Sequence, residues 1–260
     1  MNPKHCLENI SNKNTVNSHE NIFNPFDFQY ILNNDENDPD INFFNNKYDA
    51  VNSPYFSLAE VPCKVEKLLE NSFSVYHINI RSLNKNFDKL LEFLSIMKNE
   101  FDIIAISETW CNDDNININL LCQMPNYAPI HQIRKTSSKG GGLVLYIHKT
   151  ITFNALEKLS NNNEHIESLS VEIIRKNQKN IILSCIYRPP RGDPHIFTNK
   201  VKELVERNKQ KQKPLILIGD LNLNSLDYAT NNHVQIFFNL AFENGIFPVI
   251  NRPTRITGNK

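Results

Sequence analysis

The chain has 260 residues, 40% of them hydrophobic and 22% charged, with 28 basic and 28 acidic side chains in balance. That length allows one large domain with a tail or two small domains, and the neutral total excludes a protein that coats nucleic acid by bulk charge while leaving room for a local basic face. The five cysteines, Cys6, Cys63, Cys111, Cys122 and Cys185, are scattered and form no CxxC pair, so the sequence encodes neither a disulfide framework nor a zinc knuckle and a reducing compartment fits.

The N-terminal stretch MNPKHCLENISNKN has no apolar core of a signal peptide, and no run approaches the roughly 20 apolar residues that span a bilayer. The chain reads as soluble and intracellular, in nucleus or cytoplasm. Residues 1–72 are crowded with Asn, Asp and isolated aromatics and sustain neither a helical nor a strand period. Such a segment buries too little apolar area to offset its ordering entropy, which predicts a largely disordered tail with a short helix within SLAEVPCKVEKLLEN.

From Phe73 onward the texture changes. SVYHINI is β-rich, and NFDKLLEFLSIMKNE then sets Phe87, Leu90, Leu91, Leu94 and Met97 at spacings of three and four, an amphipathic helix. FDIIAIS follows as a strand. After the polar loop CNDDNININ, GGGLVLYIH reads as a strand entered through glycines, ESLSVEII alternates with period two, and NIILSCIY is nearly continuous apolar sequence. A helix over about 196–208, the strand LILIG and a helix over about 233–244 complete the series. Strands that alternate with helices in some places and follow one another in others predict an α/β sandwich, sheets in the middle and helices outside. The basic stretch RNKQKQK, residues 207–213, fits a solvated helix end, with a nuclear signal or phosphate contact as the alternative.

Four of these strands end on a polar group. VYHINIR carries Asn79, DIIAISETW ends at Glu108, IILSCIYRPP delivers Tyr187, and LILIGDLN pushes Asp220 and Asn222 out of an apolar run through Gly219. Extended geometry sends Asp220 and Asn222 to one face, where a carboxylate and an amide can hold and activate a water. Glu108 is a hard oxygen ligand suited to magnesium, and Tyr187 and Asn79 offer neutral hydrogen bonds to a phosphate. Together they point to metal-assisted phosphodiester hydrolysis. Taken singly, each has a plainer reading: Asp220 and Asn222 as turn formers, Glu108 as a solvated strand end or helix cap, Tyr187 as half-buried packing, Asn79 as the start of a loop. His77 either borders the same site or is simply packed. Arg81, Arg188 and Arg191 lie beside these motifs, as DNA-phosphate contacts or as ordinary surface arginines.

The phrases HINIRSLNKNFDKLLEFL, FDIIAISETW, GGGLVLYIH, CIYRPP, LILIGDLN and NRPTRITG, in that order, resemble the endonuclease/exonuclease/phosphatase superfamily, and most closely the endonuclease domain of non-LTR (LINE-like) retrotransposon polyproteins. The resemblance spans about residues 73–257. It implies a four-layer α/β sandwich, two packed sheets flanked by helices, and a nuclease using Mg2+, with Mn2+ as a substitute, whose partner is DNA. Residue by residue it makes Asn79 the asparagine near the scissile phosphate, Glu108 the metal ligand, Tyr187 the phosphate contact, Asp220 the carboxylate that orients or deprotonates the attacking water, and Asn222 its supporting amide. In the retrotransposon relatives such a domain nicks target DNA to expose a primer for reverse transcription.

The resemblance also has a break. Relatives continue past the NRPTRIT phrase to a closing Ser-Asp-His motif, whereas this chain stops at TRITGNK, so the domain, taken as residues 73–260, is expected to be incomplete at its C-terminus. The expected consequences are an unpaired sheet edge, an exposed apolar patch and a site short of one acid and one histidine. Beside the DNA-nicking reading therefore stand a catalytically dead remnant that at most binds nucleic acid or a protein, and a phosphatase acting on a phosphoinositide or other small phosphate ester.

Overall fold

The computed structural model describes residues 73–97, 100–111, 122–134 and 140–250, together with Pro62. The expected N-terminal tail, all of its short helix except Pro62 (which is helical), and the NRPTRITG phrase beyond Ile250 lie outside the described residues. Residues 64–247 form one compact unit, which contains both sheets and their helices.

The first sheet holds β1 (Val75–Asn79), β2 (Ile103–Ser107), β3 (Tyr127–Gln132) and β4 (Leu143–His148) in the order β1-β2-β4-β3. β1 and β2 are parallel and in register from Val75 with Ile103 to Asn79 with Ser107. A parallel pair needs a crossover, and α1 (Leu83–Ile96) supplies it. The second sheet holds β5 (Phe153–Ala155), β6 (Asn161–Asn162), β7 (Glu167–Ile173), β8 (Ile181–Tyr187) and β9 (Leu215–Asp220), with β8 and β9 parallel and joined through α2 (Pro194–Lys209). α3 (Asn232–Glu243) follows β9.

Period-two alternation makes this a sandwich. Ile103 and Ala105 of β2, Leu143, Leu145 and Ile147 of β4, Leu169, Val171 and Ile173 of β7, and Ile181, Leu183 and Cys185 of β8 meet in one buried cluster between the sheets. Full burial of an Ile or Leu is worth about 1.5–3 kcal/mol, so this seam fixes the sheets face to face. The alternate residues look outward. Tyr76 of β1 stacks on Phe93 of α1, and Ile186 joins Phe197, Val201, Leu204, Val205, Val234, Phe237 and Phe238 of α2 and α3. Helix, sheet, sheet and helix give the four layers.

Differences from the expectations have local causes. α2 starts at Pro194 because Asp193 caps it, accepting from the N–H groups of His195 and Ile196, and Pro194 fits a first helical turn. β3 is absent from the hydropathy pattern because it is an edge strand with Pro129 inside it and a burial pattern that alternates. β5 and β6 are too short to carry a period. The basic stretch 207–213 ends α2 in largely exposed residues, with Arg207 donating to the Lys158 carbonyl and Lys213 paired with Glu172. Among the described strands β9 has one partner, β8, and its apolar side chains are half-buried.

Candidate active site

Both parallel pairs end at the same end of the seam, and the residues that would continue its apolar rows are polar. On β1 the inward row runs Val75, His77, Asn79; on β9 it runs Ile216, Ile218, Asp220; on β8 it ends at Tyr187, the register partner of Asp220. Glu108 follows β2 directly. Asn79 Nδ2 donates to Glu108 Oε1 at 3.0 Å and to Asp220 Oδ2 at 2.8 Å, and the Tyr187 hydroxyl donates to the same Glu108 Oε1 at 3.0 Å. One amide of the first sheet therefore touches a carboxylate from each sheet.

Each exit is sharply bent. Glu108 and Trp110 have φ of 55° and 56°, the left-handed region that costs a side-chain-bearing residue of order 1–3 kcal/mol. The surrounding backbone sustains it: Thr109 N and Trp110 N donate to the carbonyls of Gly142 and Gly141, and the carbonyls of Glu108 and Thr109 accept from Ser82 N and Leu83 N at the start of α1. Gly142, at φ 86°, has no room for a Cβ, which would run into Thr109 Oγ1. On β9, Gly219 at φ 145° lies so close to the backbone of Ile186 that a Cβ there would collide with it. That close approach explains why a glycine precedes Asp220.

Asn222 is placed differently from the expectation of a continued strand. β9 stops at Asp220, and Asn222 turns left-handed at φ 47°. Its backbone N–H, at 3.0 Å, holds Asp220 Oδ1, while its side-chain amide donates to the Arg188 carbonyl at 2.7 Å. Arg188 also departs from its expected role. It is 7% exposed, and its guanidinium donates to the carbonyls of Leu221 and Gly192 at 2.8 Å each and to that of Asn222. Committed to these backbone partners, it braces the β9 exit, whereas Arg81 and Arg191 are both on the surface.

His77 lies two residues before Asn79 on the inward face, with Nε2 3.2 Å from Ser107 Oγ. Burial pushes its imidazole down to about 4, and the nearby Asp220 charge opposes only in part, so it is neutral near pH 7. Burial and then the Glu108 charge push the Tyr187 hydroxyl up, so it stays a donor.

Three neighbours carry no role in the motif pattern. Glu167, fully buried, pairs with Arg134 Nε and accepts from Gly142 N at 2.6 Å; the Arg134 guanidinium lies 5.7 Å from the Tyr187 ring centre. Burial pushes the Glu167 carboxyl up, with Arg134 opposing. The signal was in ESLSVEI: Glu167 stands where the alternation Leu169, Val171, Ile173 calls for an apolar residue. Arg134 carried no such mark, since its partner is far along the chain. Trp110, in the SETW phrase, donates from Nε1 to Glu108 Oε2 at 3.2 Å.

Magnesium typically takes one or two carboxylates and keeps waters and substrate oxygens as its other ligands. Glu108 and Asp220 are hard oxygen donors of that kind, and among the described residues no group of three or more His, Cys, Asp or Glu that could hold a metal is gathered. Asn79 Oδ1 is buried without a partner, on the same amide whose nitrogen meets both carboxylates. An unsatisfied oxygen beside two hard anionic donors fits a site that accepts a cation.

The endonuclease/exonuclease/phosphatase family matches residues 76–259. The chain belongs to this family. Its members hydrolyse phosphate-ester bonds, and the polar strand exits lie within the matched region. Among solved structures, an AP endonuclease from Leishmania major aligns with a TM-score of 0.52 at 16% identity, over 66% of this chain and 66% of that one. The endonuclease domain of TRAS1, a telomere-specific non-LTR retrotransposon, aligns at 0.48 and 16% identity over 67% and 71%. TDP2 from C. elegans aligns at 0.42 and 14% identity over 83% and 71%. At such identities likeness speaks to fold alone, and the first bears out the α/β sandwich. No curated protein matches the chain by sequence. No helix among the described residues is long and apolar enough to cross a membrane.

Proposed function

We propose that the chain is a magnesium-dependent phosphodiesterase that nicks DNA, the endonuclease part of a non-LTR retrotransposon product that opens target DNA to prime reverse transcription. The observation that carries the hydrolase reading is the Asn79 amide shared by Glu108 and Asp220, two carboxylates from different sheets joined at one rim. The retrotransposon assignment rests on the wording of the motifs, from NIRSLNKNFD through SETW to NRPTRITG.

In this reading Asp220, oriented by the Asn222 N–H, takes the proton of the attacking water. Asn79 and Tyr187, whose donors are held by carboxylates in the substrate-free protein, turn them to the non-bridging phosphate oxygens, where charge develops in the transition state. Glu108 would hold magnesium, which would supply polarisation of the phosphoryl group and neutralisation of charge on the leaving oxygen. Arg81 and Arg191 meet flanking phosphates, which makes binding fall with salt.

The test is conversion of supercoiled plasmid to nicked circles at low salt, in magnesium or EDTA, by the wild-type chain, Glu108→Gln and Asp220→Asn. Magnesium-dependent nicking that both substitutions abolish is the expected result. Folded protein that leaves plasmid intact yet hydrolyses a phosphoinositide would move the substrate to small phosphate esters. Folded protein inert to both would leave a non-catalytic fragment.

A further inference from the structure

We infer that Trp110 is a stacking platform for an unpaired nucleobase next to the scissile phosphate, and so a determinant of which nucleic-acid structure is cut; this rests on the proposed action on DNA. Most large apolar residues of the unit are buried, but Trp110 is 46% exposed. It stands beside the site's centre, since its Nε1 donates to the Oε2 of the same Glu108 whose Oε1 meets Asn79 and Tyr187. The indole's one polar atom is thereby turned to the site, and what remains for solvent is aromatic surface.

The ring is also fixed in advance. Its backbone N–H donates to the Gly141 carbonyl at 2.9 Å, its residue is held left-handed at φ 56°, and a Cβ on Gly140 would lie 3.6 Å from Nε1. A platform tethered at two points loses little side-chain freedom when a ligand lands on it. Holding Glu108 alone needs only a small donor; a broad, exposed ring exceeds that need. A phosphate seated at Asn79, Glu108 and Asp220 brings the bases of its own or the adjoining nucleotide within a side chain's reach of the indole. Every base has a π-face, so stacking is sequence-tolerant. A base inside a duplex already has both faces covered, so the platform favours a base that is unpaired, extruded or beside a gap.

Trp110 is the chain's one tryptophan, so its fluorescence reports this position alone. In EDTA, the wild-type chain is titrated with a labelled single-stranded oligonucleotide and with the intact duplex, following label anisotropy and tryptophan emission together. The expected result is quenching that tracks single-strand binding, with weaker quenching by duplex. Trp110→Ala then weakens single-strand binding about tenfold and Trp110→Phe recovers most of it. Against a strand whose bases near the bound phosphate are replaced by abasic sites, wild type and Trp110→Ala bind alike, which a mere brace for Glu108 would not produce. Binding without quenching, or an equal loss on intact and abasic strands, overturns the platform while leaving the nuclease reading standing. Folded protein that binds no oligonucleotide overturns both.

Discussion

The two parallel strand pairs deliver the same kind of cargo to one rim with different supports. The β2 exit, with Glu108, is held by backbone: two glycine carbonyls from the start of β4 on one side and the first turn of α1 on the other. The β9 exit, with Asp220, also passes a glycine, Gly219, but what distinguishes it is a buried side chain, Arg188, which gathers the carbonyls of Leu221, Gly192 and Asn222. A strand can be bent into a site either by leaving out Cβ atoms where chains must touch or by inserting a multivalent donor where carbonyls would otherwise be stranded. The first solution is intolerant of a larger residue at Gly142, the second of a smaller one at Arg188.

Substitutions at the ends of this contrast have the largest expected effect. Glu108→Gln keeps shape and the Asn79 contact but removes a charge and the acceptor of the Trp110 indole N–H, and is expected to lower nicking by about a thousandfold, near 4 kcal/mol, with the chain still folded. Arg188→Met leaves three carbonyls, that of Gly192 buried and those of Leu221 and Asn222 partly so, without their donor and is expected to cost about 3 kcal/mol in urea unfolding, with Asp220 misplaced and activity lost in step. Gly142→Ala is expected to cost about 2 kcal/mol, from the φ of 86° and the collision with Thr109, and to disturb the Glu108 side instead. If Arg188→Met unfolds no more easily than wild type, the β9 exit does not depend on a side-chain brace and the contrast fails.

A pH-dependent effect of similar size lies between the two sheets, at His77. Its folded value, about 4, is below the ordinary 6.5, so as pH falls the unfolded chain takes up the proton first. Its contribution is therefore full above about 6.5 and is lost as pH falls toward 4. The stability gap between wild type and His77→Gln is expected to narrow by about 1 kcal/mol per pH unit across that window in urea unfolding. A gap that stays constant would mean that His77 titrates alike in the folded and unfolded chain.

The sandwich was legible because its inner strands are long apolar runs with period two, and the rim because Asn79, Glu108, Tyr187 and Asp220 each interrupt such a run at its end. What stayed hidden depended on contacts between distant segments. Arg188 looked like a surface cation because no local pattern records that three carbonyls surround it. Asn222 looked like a continuing strand because its left-handed turn is imposed by Arg188 and Asp220. Glu167 was readable in principle, as a carboxylate at an inward position, but the partner that makes it tolerable, Arg134, is 33 residues away. β3 was masked by Pro129, which an edge strand accepts and a hydropathy pattern rejects.

The central claim is that the two exits form one catalytic unit joined at Asn79. It is tested most directly by single-turnover nicking with Glu108→Gln, Asp220→Asn and the double variant, at enzyme excess. Groups that act as a unit are expected to give a double variant within about tenfold of the worse single one. A double loss equal to the product of the two single losses would contradict the claim, because the two carboxylates would then be acting independently.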